Sequence, residues 1–222
     1  MTDRKQWNRM VKGGEGLTVE LKLQAPKLDR ISRSFSAFSN SAGGYMFFGV
    51  KDNGEVVGLE HVKGTADLVK QVANFYCNPI IDIETHVWEY LPGIEVLVVY
   101  VPESEIKPVN AVNPNNAKDT WPFFRSDKEN LALDKKSIKT MRRIQSVDIE
   151  EDVANLDRHT IHILNRLADS PRQTVNHLAK STNIGVQRTK KIVVHLERNG
   201  WIHSFFNEKR REYSLTIPWK KR

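Results

Sequence analysis

The chain alternates between two hydrophobic periods, and the switches between them outline its elements. Residues 5–12 carry a short helical pattern that stops at Gly13-Gly14. In residues 18–23, Val19, Leu21 and Leu23 alternate with Thr18, Glu20 and Lys22, which predicts a strand with one apolar and one polar face. Residues 28–40 return to the helical period, with Ile31, Phe35 and Phe38 on one side, and end at Ala42-Gly43-Gly44. Residues 45–50 are apolar on both sides, as a central strand covered on two faces would be, and Asn53-Gly54 then signals a hairpin into residues 55–58. A helix over 65–76 and two strands over 81–89 and 94–101, turned at Pro92-Gly93, come next. Residues 102–119 read as a long polar loop, a natural place for a ligand or partner, before a short strand at 121–125 and a helix at 134–144.

After an acidic linker the pattern becomes mostly helical. Residues 157–168 place Ile161, Leu164 and Ala168 on one face, and Pro171 separates them from a second helix at 173–180 with Val175, Leu178 and Ala179 inward. Gly185 opens a third helix, in which Thr189, Ile192, Val193 and Leu196 oppose Gln187, Arg188, Lys190, Lys191 and Arg198; Gly200 closes it. Residues 201–216 read as strand, basic turn, strand. The expected fold class is α+β: a mixed-sheet domain over 1–145, a linker over 146–156, and a winged helix-turn-helix domain over 157–222.

Charge sharpens this division. The 222 residues carry a net +7, but residues 157–222 hold 14 Lys and Arg against 5 Asp and Glu, a balance of +9, whereas the first 156 residues hold 20 against 22, or −2. A basic segment of this kind suits a phosphate backbone or, equally, a solvated surface. One cysteine, Cys77, excludes an internal disulfide and any cysteine-based zinc site. The longest apolar run, residues 96–101, is too short for a membrane span, and the N-terminus lacks a signal-peptide core, so the expected location is cytoplasmic with no membrane partner.

The stretch LAKSTNIGVQRTKKIVVHLERNGWI resembles the turn and recognition helix of bacterial winged-helix regulators, which implies insertion into a DNA major groove and a role in transcription regulation. On that reading Gln187 and Arg188 reach base edges, while Lys190, Lys191, Lys209, Arg210 and Arg211 neutralise phosphates. Dimerisation or protein contact is the competing use of such a module.

The segments GEGLTVELK and AFSNSAGGYMFFGVKDNGEVVGL, followed by Lys107-Pro108 and SDKENLAL, resemble the Schlafen AlbA-like domain over roughly residues 10–145. In nuclease members of that family three carboxylates cut structured RNA, such as tRNA, with a divalent metal. The resemblance puts them on Glu15, Glu20 and Asp52, as catalytic and metal-holding groups for Mg²⁺ or Mn²⁺. A hard cation holding them would activate water, and Lys22 could contact the scissile phosphate. Because their spacing is odd, Glu15 must lie before the strand that carries Glu20. The plainer alternative makes Glu20 and Lys22 a charge pattern, Asp52 a turn former and Glu15 a loop residue. Nuclease members carry a second AlbA-like lobe and a zinc finger, absent from this chain; a homodimer would supply the lobe.

ATP is not expected as a cofactor: no phosphate-loop motif is present, and Gly43-Gly44 fits a helix C-cap. His159, His162 and His177 form no recognisable ligand set, and Trp121, Phe123 and Phe124 suit burial under the closing strand more than stacking on bases. Three readings therefore stand: a DNA-binding regulator, a metal-dependent endoribonuclease, and an interaction module.

Overall fold

The computed structural model describes residues 4–141, 156–207 and 210–220, and the chain divides into two units, Met1–Ala132 and Leu133–Arg222. Apart from Leu156, the linker expected over 146–156 lies outside the described residues, as does Lys209. In chain order the first unit runs α1 (Arg4–Gly13), β1 (Val19–Lys22), α2 (Leu28–Asn40), β2 (Gly44–Phe48), α3 (Val62–Phe75), β3 (Cys77–Asn78), β4 (Glu84–Leu91), β5 (Ile94–Val101), β6 (Asn110–Asn113), β7 (Asn116–Ser126) and β8 (Glu129–Ala132).

Two four-stranded sheets form, with strand orders β1-β2-β5-β4 and β3-β6-β7-β8. Among the described residues the only parallel pair is β1 with β2, Val19 opposite Tyr45 and Lys22 opposite Phe48, and α2 makes the crossover between them. Ile31, Phe35 and Phe38 of α2 join Met46, Phe48, Leu97 and Val99 in one core. Trp7 and Val11 of α1 join Leu21, Phe47, Trp88, Val96 and Val98 in another. The first sheet is thus covered on both faces, which is why β2 and β5 are apolar on both sides; each fully buried phenylalanine contributes roughly 1.5–3 kcal/mol.

The other face of α2 is a row of buried serines and an asparagine. It lies on β6 and β7, where small side chains allow close approach and hydroxyls replace missing backbone partners. Ser36 Oγ donates to Val109 O at 2.8 Å and accepts from Phe123 N–H at 2.9 Å. Asn40 donates to Val109 O and Phe123 O, both at 2.8 Å, and accepts from Val109 N–H at 2.7 Å. The chain then turns through Gly43 at φ 68°, and a Cβ on Gly44 would stand 2.5 Å from the Phe38 ring, so the glycine pair serves a tight helix-to-strand junction.

Several expectations need correction. Within residues 102–119 the first part, 102–109, is irregular as expected, but the rest forms β6 and the start of β7, where Asn113 and Asn116 side chains accept from Asn115 and Lys118 N–H at the turn. The hairpin after Asn53-Gly54 shrinks to one bridge, Val50 with Val56. Trp121 is 41% exposed, whereas Phe124 is buried. The helix expected to complete the first domain, α4 (Lys135–Met141), groups with the second unit, where the Ser137 hydroxyl donates to Ser204 O at 2.8 Å.

The second unit continues with α5 (Arg158–Asp169), α6 (Val175–Thr182), α7 (Val186–Arg198) and the antiparallel pair β9 (Ile202–Asn207) and β10 (Arg210–Leu215). Asp157 caps α5 by accepting from His159 and Thr160 N–H at 2.7 and 2.9 Å. The buried face of α5 is Thr160, Ile163, Leu164 and Leu167, one step out of phase with the expected Ile161, Leu164 and Ala168, because a threonine lies on the inner line. Asn183 ends α6 in the left-handed region and α7 buries Thr189, Val193 and Leu196. Gln173 and Tyr213 exchange backbone hydrogen bonds at 3.0 and 2.9 Å, which adds a third extended segment to the hairpin.

Replacing Asn40 by Ala strands the Val109 and Phe123 backbone groups; chemical denaturation should show a loss of about 2–4 kcal/mol. Hydrogen bonds from Thr160 and His159 N–H hold the Asp157 carboxyl below the usual carboxylate range. Its stabilisation is therefore present at neutral pH and lost as pH falls through that lowered value. Asp157→Ala should cost about 1 kcal/mol at pH 7, and its gap from wild type in urea midpoint should narrow below about pH 4.

Candidate functional site

Glu15 does lie before β1, in the bend that follows α1, and its carboxylate turns back onto the strand. Glu15 Oε1 accepts from Leu21 N–H at 2.9 Å and lies 3.2 Å from Lys22 Nζ. That ammonium also forms an ion pair with Glu20 Oε1 at 3.0 Å and donates to Leu21 O at 2.8 Å, so it is held between both carboxylates and the strand backbone. Glu20, expected on a polar strand face, is only 4% exposed. Its Oε1 also accepts from Ser34 Oγ at 2.9 Å, and its Oε2 accepts from Arg125 Nη1 at 2.8 Å.

Arg125 is the residue that reading the sequence missed. It is 1% exposed and donates from all three of its nitrogens: Nε to Gly16 O at 3.1 Å, Nη1 to Glu20 and to Asn130 Oδ1 at 2.9 Å, and Nη2 to Val19 O at 3.1 Å. Its guanidinium carbon lies 4.9 Å from the centre of the Phe38 ring. Burial pulls its pKa below the ordinary value, while Glu20 and Glu15 oppose that shift. An arginine closing the apolar run Trp121-Pro122-Phe123-Phe124 was the available signal, since a cation there requires a carboxylate partner.

These contacts decide how well a divalent cation would fit. Lys22 fills the space between Glu15 and Glu20, the second oxygen of Glu20 is held by Arg125, and Asp52 stands exposed on the turn before Asn53-Gly54. Among the described residues no three His, Cys, Asp or Glu side chains are placed to hold a metal ion. Glu15, Glu20 and Asp52 are thus not gathered into one ligand set, and Lys22 faces its own carboxylates instead of a free phosphate position.

The second unit presents a different surface. On α7, Gln187, Arg188, Lys190 and Lys191 are all exposed. With Val194, His195 and Arg198, three of them (Gln187, Lys190 and Lys191) line a shallow depression of 390 Å³. Arg210 is exposed at the start of β10, whereas Arg211 is half-buried with Nη2 3.8 Å from Glu197 Oε1, and the Ser204 hydroxyl donates to the same oxygen. Arg211 is therefore partly committed inside the unit.

The family profile described as Schlafen, AlbA_2 matches residues 15–134, more than half of the chain. The chain belongs to the Schlafen AlbA_2 family. The match begins at Glu15 and takes in both sheets of the AlbA_2 domain, with the Glu20–Arg125 pair inside it. No curated protein matches the chain. Among solved structures, the DIP2311 protein of Corynebacterium diphtheriae is 14% identical with a TM-score of 0.42; the alignment covers 69% of this chain and 34% of the other, so the chain spans about a third of that protein's length. The N-terminal domain of a RecG-related protein of Nitrosomonas europaea is 24% identical with a TM-score of 0.40, covering 61% of this chain and 97% of that domain. MepR, a transcription regulator of a Staphylococcus aureus multidrug efflux pump, is 19% identical with a TM-score of 0.28, covering 38% of this chain and 67% of MepR. No helix among the described residues is long and apolar enough to cross a membrane.

Arg125→Met leaves Glu20 buried without its main partner. Equilibrium unfolding should register a loss of about 3–5 kcal/mol, and adding Mn²⁺ should leave the wild-type melting temperature unchanged, since Lys22 already fills the space between the carboxylates.

Proposed function

We propose that the protein binds duplex nucleic acid through its second unit, a winged-helix module in which α7 is the recognition helix and the β9–β10 hairpin the wing, and that it acts as a DNA-binding regulator. The observation that carries this reading is the division of α7 itself. Thr189, Val193 and Leu196 are buried, while Gln187, Arg188, Lys190 and Lys191 project to solvent beside the exposed Arg210. Side chains near the start of such a helix reach base edges, and the lysines neutralise phosphates. The +9 balance of residues 157–222 supplies the wider attraction, and Lys209 belongs to the same basic turn in the sequence.

The AlbA_2 domain then serves sensing or assembly; its internally paired carboxylates favour that role over cutting RNA. A homodimer would present two recognition helices to a two-fold site, and its mass in solution would report it.

Fluorescence anisotropy with a labelled duplex tests the proposal. Binding should weaken steeply between 50 and 200 mM salt. The double substitution Lys190→Glu and Lys191→Glu should reduce affinity by more than tenfold and flatten the salt slope by about two. The melting temperature should not change, because both side chains are exposed. Undiminished binding by this variant would sink the assignment, and cleavage of labelled tRNA in Mn²⁺ that is lost in Glu20→Ala would restore the nuclease reading.

A further inference from the structure

The inward line of α7 runs through Thr189, Val193 and Leu196. With 3.6 residues per turn, the line opposite passes through Gln187, Lys191, Val194 and Arg198. Arg188 lies off this line, on the flank. Three of its four members are polar or cationic. Val194 is apolar and lies between cations, with Lys190, Lys191, His195 and Arg198 around it in the same depression. The core of the second unit takes Val193 and Leu196 from α7, with Ile192 packed alongside, and leaves Val194 out. Its half-burial fits cover by the aliphatic stems of those cationic neighbours.

An apolar side chain centred on a basic outward face adds nothing to phosphate attraction. In a duplex major groove one base-pair feature is apolar, the C5-methyl of thymine, and aliphatic side chains recognise it by contact. RNA has no such methyl, and its deep, narrow major groove does not admit a helix. We propose that Val194 reads a thymine methyl, so that this face of α7 selects duplex DNA over RNA and thymine over uracil. Gln187, two turns earlier on the same line, has the geometry to read adenine. The two Cα positions are separated by roughly 10 Å along the helix, about three base-pair steps. The inference rests on the duplex-binding reading of α7 and adds to it a base, a residue and a spacing.

The test uses the full chain and its preferred duplex, selected from a randomised library. Each thymine in that duplex is replaced in turn by deoxyuridine, which removes one methyl and keeps all hydrogen bonds. The wild-type protein should lose about three- to fivefold in affinity at one position, the worth of one methyl contact. Val194→Ala should bind the thymine duplex more weakly by a similar factor and be indifferent to deoxyuridine there. Since Val194 lies outside the core, the variant should melt as wild type does, and Val194→Thr, which keeps the shape and one methyl, should recover part of the discrimination. Salt-sensitive duplex binding that is insensitive to every thymine replacement would overturn the Val194 assignment and leave duplex binding standing. Absence of salt-sensitive duplex binding would overturn both.

Discussion

The AlbA_2 domain is organised around one buried cation. Arg125 sits near the end of β7 in the second sheet, yet its guanidinium reaches Gly16 and Val19 carbonyls and the Glu20 carboxylate on and before β1 in the first. Its own backbone N–H donates to Ser41 Oγ just beyond α2. A charge this deep is tolerable only when fully bonded, so the two sheets and the helix between them must assemble in one register for Arg125 to be satisfied. The Ser36 and Asn40 contacts extend the same requirement along α2: polar groups on the helix supply what the backbone of β6 and β7 lacks, and specificity comes from pairing rather than from apolar area alone.

Much of this was legible in the pattern of residues, and the failures share a cause. The alternation of Val19 with Leu21, the two-sided strand from Met46 to Phe48 and the Pro92-Gly93 turn each depend on neighbours in sequence, and all were readable. Burial of Glu20 was not, because its partner Arg125 lies 105 residues away and a glutamate in an alternating strand ordinarily faces water. The serine face of α2 was hidden for the same reason: a helical pattern marks a buried apolar stripe, but a second buried face built from Ser and Asn looks like a solvated one. The second half of the polar 102–119 stretch reads as loop because its strands are polar and the asparagine turn between them is made by side-chain bonds at 113–118.

For the site, the family resemblance pointed to Glu15, Glu20, Asp52 and Lys22, and what each can do depends on what its side chain touches. Glu15, Glu20 and Lys22 do come together, as a closed set of charges whose demands are met within the protein. The two units thus use charge in opposite ways. The first buries Glu20 and Arg125 as a matched pair beside β1, while the second leaves Lys190, Lys191 and Arg210 turned to solvent.

The bonds around β1 have a consequence for the sheet's growth. β1 is a terminal strand, yet the outward-pointing amide and carbonyl of Leu21 are taken by Glu15 and Lys22, and the carbonyl of Val19 by Arg125 and Gly16 N–H. These side chains stand in for a fifth strand, so a stray peptide finds no open ladder on that margin. Enlargement of the sheet by strand addition is confined to β4 at the opposite end, and the first sheet is chemically one-sided along its hydrogen-bonding axis.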